Sequence, residues 1–190
     1  MIICGDIALS KKGAVKIEGL PDALKQKIWF GNLEGTLVDV HDANRPYLLA
    51  HRGVFNDYYA IKELTGELNF CGFGIANNHI HNYGNPERTI NYLHRMGKLH
   101  AGAGKNVLDA SEPAVVEDNN GVDYTILACA SQLTGSKVAK KDGEGVNPWV
   151  KTHVKKLVVQ HMGGGKSYSI CTLELRDELS SVPLRQTISA

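Results

Sequence analysis

Three short apolar runs in this chain each break off into polar residues, and that repetition limits the possible folds more than any other feature. Ile2-Ile3-Cys4 stops at Gly5-Asp6, and Lys27-Ile28-Trp29-Phe30 stops at Gly31-Asn32-Leu33-Glu34-Gly35. The third run, residues 68–75, leads into Asn77-Asn78-His79. Short apolar runs bounded by glycine and polar turns read as buried strands. Stretches with helical spacing lie between and after them, so strand and helix alternate. That pattern gives the α/β class, a sheet flanked by helices. Parallel strands in one sheet bring their carboxyl ends to the same edge, with neighbouring strands about 4.8 Å apart. Ligands of open α/β sheets bind at that edge. Asp6, Asn32, Glu34, Asn78 and His79 are therefore expected to meet there, although they are far apart in sequence.

The remaining elements follow from spacing and punctuation. A short helix is expected over 21–26, with proline at its first position. Residues 56–64 read as a helix, with Asn56 or Asp57 as its cap. Asn85-Pro86-Glu87 opens another, with Ile90, Leu93 and Met96 on its buried side. A strand over 99–104 ends in a glycine-rich turn, and a brief helix spans 106–110. Residues 112–116 and 124–128 form two strands joined by the turn Asp118-Asn119-Asn120-Gly121. A loop is expected over 135–146. Pro148 opens a helix with Trp149, Val150, Val154, Leu157 and Val158 as its apolar positions, and His161 caps its end. Gly163-Gly164-Gly165 breaks it. A last strand is expected over 167–175, and 181–190 is an irregular tail. With no internal repeat, residues 1–190 read as a single domain.

Composition narrows the function. The net charge is +1 with basic residues scattered, which provides no field for nucleic-acid binding. Four cysteines show no CxxC spacing. Cys4, Cys129 and Cys171 lie in apolar runs and are expected to be small buried hydrophobes in a reducing compartment. No apolar run approaches the roughly 18 residues needed to cross a bilayer. No charged and apolar leader precedes Ile2-Ile3-Cys4, so a cytoplasmic location is expected.

The donors at the strand ends are two carboxylates, amide oxygens and an imidazole. Such a mixed oxygen and nitrogen set suits a divalent cation of intermediate hardness, with one or two ions of manganese, iron or zinc expected. A metal there would lower the pKa of a bound water or polarise a phosphoryl or carbonyl oxygen, with His79 assisting proton transfer. Two glycine-rich stretches look like phosphate loops. Gly102-Ala103-Gly104 lacks the lysine and hydroxyl ending, and Gly163-Gly164-Gly165-Lys166-Ser167 stands in the reverse element order.

Together, Gly5-Asp6, Asn32-Leu33-Glu34-Gly35, Ala76-Asn77-Asn78-His79 with Tyr83-Gly84, and Gly102-Ala103-Gly104-Lys105-Asn106 with Ala110 and Pro113 resemble the CapA/PgsA family. These are capsule and poly-γ-glutamate synthesis proteins, relatives of calcineurin-like metallophosphoesterases. The resemblance covers about residues 1–181. It implies a metallophosphatase-like layered α/β sandwich, divalent metal at Asp6, Glu34, Asn78 and His79, and an anionic polymer or phosphorylated substrate. The chain departs from the family pattern late. Glu174 stands where a histidine belongs and would ligate through oxygen, and the later histidine-rich segment is missing. Asn82 replaces an aspartate often found after Asn-Asn-His. The implied activity is metal-dependent hydrolysis of a phosphoester or anionic polymer linkage. The alternative is an accessory protein of polymer synthesis that keeps the fold without turnover. A sandwich shortened at its carboxyl end would leave a sheet edge and an apolar face open, and self-association is expected to cover them.

Overall fold

The computed structural model describes residues 1–11, 13, 15–41, 53–130 and 136–148, and the two strands 157–161 and 169–173. The chain divides into two compact units, Met1–Trp149 and Val150–Ala190. The first unit is built on a parallel sheet of strands β1 (Ile2–Ile7), β2 (Trp29–Leu33), β5 (Phe70–Gly74) and β6 (Leu99–Ala101), in the order β1-β2-β5-β6. The connections carry the helices α1 (Asp22–Lys25), α2 (Tyr58–Glu67) and α3 (Pro86–Arg95). Between β2 and α2, two short parallel strands pair: β3 (Thr36–Val38) and β4 (Phe55–Asp57). The expected α/β layering is therefore present.

The strands run further toward the polar residues than the apolar runs alone suggest. β1 continues through Gly5 and Asp6 to Ile7, and β2 continues to Leu33. β1 pairs with β2 as Cys4↔Gly31 and then Asp6↔Asn32, so Gly5 is an extra residue in a bulge. β2 pairs with β5 as Trp29↔Phe70 and then Phe30↔Gly72, which makes Cys71 a second extra residue. That bulge breaks the alternation of strand side chains and puts Phe70 and Phe73 on one face. Their rings stack with centroids 5.1 Å apart at 9°. Both join the main core with Leu33, Leu37, Ile61, Ile75, Ile80 and Leu93, where α2 and α3 deliver their apolar sides. A smaller cluster holds Phe30, Ala101 and Ala114, with Cys71, Ile126 and Ala128 against it. It is supplied by the antiparallel hairpin β8 (Ala114–Glu117) and β9 (Asp123–Ile126).

Helix ends follow the expected chemistry. The Asp57 carboxylate accepts from Tyr59 N–H at the start of α2. Asn106 Oδ1 accepts from Leu108 and Asp109 N–H at the start of α4 (Val107–Ser111).

Several expectations are corrected. The strand read over 99–104 breaks at Gly102, whose φ of +100° suits glycine, and resumes as β7 (Ala103–Gly104). The loop read over 135–146 contains β10 (Gly145–Val146), paired antiparallel with β7. Cys129 is exposed rather than buried, since it follows β9 instead of lying within it. In the second unit, β11 (Leu157–His161) pairs antiparallel with β12 (Ser169–Leu173). Leu157 and Val158 are thus in a strand, not a helix, and His161 is a strand residue opposite Ser169 rather than a helix cap. The branched run Val158-Val159 loses side-chain freedom in a helix and favours the extended form. Trp149, Val150, Val154 and Gly163-Gly164-Gly165 lie outside the described residues, as does the tail over 181–190. Among the described residues, no helix is long and apolar enough to cross a membrane.

The packing of β6 on α3 has a pH consequence. The rings of His100 and His94 lie 5.1 Å apart between centroids. Burial pushes the His100 pKa below its ordinary value, and the charge of His94 adds to the effect. The unfolded chain then takes up this proton first. The stability tied to neutral His100 is complete above the ordinary value of 6.5 and is lost as pH falls through the folded value. Urea midpoints should drop between pH 7 and 5, and His100→Gln should flatten that slope. An equally steep slope in the variant would remove His100 from the explanation.

Candidate metal centre

The bulge at Gly5 sets Asp6 level with Asn32, and two residues beyond Asn32 the chain reaches Glu34. Asn32 Nδ2 donates to Asp6 Oδ1 at 2.8 Å and to Glu34 Oε2 at 2.9 Å. One amide nitrogen thus joins two carboxylates. The other Glu34 oxygen, Oε1, lies 3.8 Å from His79 Nε2, beyond hydrogen-bond reach but near enough for attraction if the ring is charged. The Glu34 side chain is 17% exposed, so it is largely enclosed rather than free on the surface. The structure therefore links Asp6, Asn32, Glu34 and His79, the first expected from one strand end, the next two from a second and His79 from a third.

Buried amides lock these segments together. Asn77 Oδ1 accepts from Gly35 N–H at 3.2 Å and from His79 N–H at 3.1 Å, while its Nδ2 donates to the Leu33 carbonyl at 2.8 Å. A single side chain, 5% exposed, ties the end of β2 to the turn that carries His79. Asn56 does the same on the other side. Its Oδ1 accepts from Leu9 N–H at 2.7 Å and its Nδ2 donates to the Glu34 carbonyl at 2.7 Å. The Thr36 hydroxyl donates to the Ile80 carbonyl at 2.8 Å. Asn77, Asn56 and Thr36 were not among the expected site residues. Asn77 was visible as part of Asn-Asn-His, but only its burial shows that it braces the site.

Asn82 Nδ2 lies 3.0 Å from His79 Nδ1. With the amide nitrogen facing the ring, Nδ1 accepts and Nε2 carries the proton. With the amide turned over, Asn82 Oδ1 would accept from Nδ1–H and leave Nε2 bare for a metal. The two amide orientations are interchangeable in shape, so Asn82 is compatible with either tautomer. Nearby, His81 Nδ1 accepts from Lys137 N–H at 3.4 Å, and its Nε2 is buried with no hydrogen-bond partner among the described residues. Burial, and then the charge of Lys137, push the His81 pKa below its ordinary value. Ser136 Oγ donates to the Asn77 carbonyl at 3.1 Å, so the segment around 136–137 rests on the turn.

Neither of the other expected ligands, Asn78 and Glu174, joins this set among the described residues. Asn78 is half-buried in the turn and has no hydrogen bond within the described residues. Glu174 lies outside the described residues. Among the described residues, no three His, Cys, Asp or Glu side chains cluster tightly enough to hold an ion by themselves. The linked set depends on the amide of Asn32 for its closure.

A family model described as bacterial capsule synthesis protein PGA_cap matches residues 16–169, a span that includes Asn32, Glu34, Asn78 and His79 and leaves Asp6 and Glu174 outside. No curated protein matches the chain. The matched span covers most of the sequence and the α/β layers from α1 onward, leaving out β1, and the chain belongs to the family of bacterial capsule synthesis proteins.

Proposed function

We propose that this chain is a metal-dependent hydrolase of a phosphoester or an anionic polymer linkage in capsule synthesis, poly-γ-glutamate included. Asp6, Asn32, Glu34, Asn78 and His79 would hold one or two divalent ions of manganese, iron or zinc. The observation that carries this reading is the single Asn32 amide nitrogen between two carboxylates. A polarised N–H₂ group at that point sits where a cation would be favoured, so the donor set fits a metal of the mixed oxygen and nitrogen kind. For ligation Asn32 would turn its oxygen inward, a rotation that leaves its shape unchanged. A bound metal would supply a water of lowered pKa and polarise the substrate oxygen. The chain's own residues would do the rest. Asp6 and Glu34 supply negative charge, Asn77 holds the backbone of both segments, and His79 moves a proton at Nε2.

Calorimetric titration with manganese, zinc and iron(II) tests the assignment. We expect binding by the native chain, and a loss of about 100-fold or more in affinity for Asp6→Ala and His79→Ala, about 2.7 kcal/mol each. Stoichiometric binding that survives both changes would overturn it.

A second reading is a binding or accessory protein of polymer synthesis without turnover. Two observations favour it: the absence of a tight three-ligand cluster among the described residues, and an amide rather than a carboxylate against His79. Assays with an aryl phosphate across the same metals separate the two. Metal-dependent turnover excludes the accessory reading, and metal binding without turnover supports it.

A further inference from the structure

The end of helix α3 and strand β6 hold two imidazoles against one another. His94 lies in the last turn of α3, and His100 is the middle residue of β6, opposite Phe73. The turn between them is fixed by its own hydrogen bonds. Gly97 takes φ of +66° and its N–H donates to the His94 carbonyl at 2.9 Å, while Lys98 N–H donates to the Leu93 carbonyl at 2.9 Å. Leu93 is fully buried, which anchors the helix end. Both histidines therefore stand on regular elements, which hold a ligand pair more precisely than loops do.

The two ring centres are 5.1 Å apart and the planes are tilted by 55°. With metal–nitrogen bonds of about 2.1 Å and a tetrahedral angle between them, two imidazoles on one ion have ring centres about 5 Å apart. Neither ring makes a hydrogen bond or ion pair among the described residues. His94 is exposed, and the half-buried His100 keeps its ring nitrogens open to solvent, so an ion can reach both. Burial, and then the charge of His94, favour the neutral His100 ring, which is the form that ligates. The neighbouring cations are directed elsewhere. Lys98 Nζ donates to the Phe70 carbonyl at 2.8 Å, and the Arg95 guanidinium lies over the Tyr92 ring, 5.6 Å from its centroid.

We propose that His94 and His100 chelate a borderline first-row divalent ion, of the zinc or copper(II) kind, at a site that shares no residue with the strand-end centre. Imidazole suits those ions, whereas manganese and magnesium prefer oxygen donors. Each ring offers Nδ1 and Nε2, and turning it over exchanges the edge it presents, so one nitrogen of each can face a shared ion. Water completes the coordination. The ion would staple the end of α3 to β6, and because the folded chain alone brings the two rings together, it would stabilise the folded state.

The test is copper(II) titration of the full chain and its variants, followed by electron paramagnetic resonance. His94→Gln and His100→Gln should each weaken the same single equivalent of copper(II) about 100-fold or more, since two ligands on one frame gain about 10²–10⁴ over either alone. His79→Ala should retain that equivalent, with the nitrogen coupling pattern of two imidazoles. Manganese titrations should be the same for the native chain and His94→Gln. His94 is exposed, so His94→Gln should keep the metal-free thermal midpoint, and it decides the matter if His100→Gln fails to fold. The assignment is overturned if the native chain takes up no copper(II), or if uptake is unchanged in His94→Gln. It is also overturned if His79→Ala removes the same equivalent, or if the spectrum of His79→Ala shows a single imidazole nitrogen.

Discussion

Asn77→Ala is expected to lower folding stability by about 3–5 kcal/mol, the upper range for a single substitution. The change removes three hydrogen bonds at once and leaves the N–H groups of Gly35 and His79 and the carbonyl of Leu33 without their partner. Each buried backbone group stranded this way costs about 1–3 kcal/mol, and Asn77 itself is only 5% exposed, so water cannot readily replace it. A domain holds about 5–15 kcal/mol in total, so the variant should fold at 25 °C with a thermal midpoint about 10 °C lower. Asn77→Asp keeps the two accepted bonds and sets a carboxylate oxygen against the Leu33 carbonyl, so it should not rescue. Thermal unfolding followed by circular dichroism decides the matter. A fall of less than about 2 °C in Asn77→Ala would mean that the three groups find other partners. The same bonds hold Glu34 and His79 in register, so metal affinity should fall with stability.

The proximity of four of the expected residues was legible because they end successive strands, and parallel strands deliver their ends to one edge. Asp6, Asn32, Glu34 and His79 are linked as that argument requires. What spacing could not show is which of two adjacent asparagines braces and which is free. Asn77 and Asn78 are the same residue type in neighbouring positions, and only the turn geometry buries the first. The bulges at Gly5 and Cys71 were also hidden, since each inserts one residue without changing the apolar run around it. The strand at Leu157–His161 was misread because Trp149, Val150, Val154 and Leu157 can be fitted to a helical period. The branched Val158-Val159 pair was the contrary signal. Asn56 was legible only as a candidate helix cap, a role that Asp57 takes, and Thr36 carried no sequence signal. A polar residue beside an apolar run reads as exposed until tertiary packing buries it.

Gly35→Ala should be about as costly, for a reason that does not involve a lost contact. Gly35 follows Glu34 at the end of β2 and has φ of +89°, a conformation that costs an L residue about 1–2 kcal/mol. A Cβ there would also fall 2.4 Å from the Val54 carbonyl oxygen and 2.7 Å from its carbon. Both are backbone atoms, so no side-chain rotation relieves the clash. Overpacking of this kind adds about 1–3 kcal/mol, for a combined loss of about 3–5 kcal/mol. Gly66 in α2 provides the opposite case. It has an ordinary helical conformation, and nothing lies within 4 Å of an added Cβ, so Gly66→Ala should stabilise by about 0.5–1 kcal/mol. Denaturant unfolding of the two variants should therefore move the midpoint in opposite directions. If Gly35→Ala shifts it by less than about 1 kcal/mol, the Val54 carbonyl has moved aside. A metal titration then shows whether Glu34 moved with it. Affinity retained in a destabilised Gly35→Ala protein would show that Asn32 alone keeps the Glu34 carboxylate beside Asp6. Affinity lost together with stability would place that control in the tight passage between Gly35 and Val54.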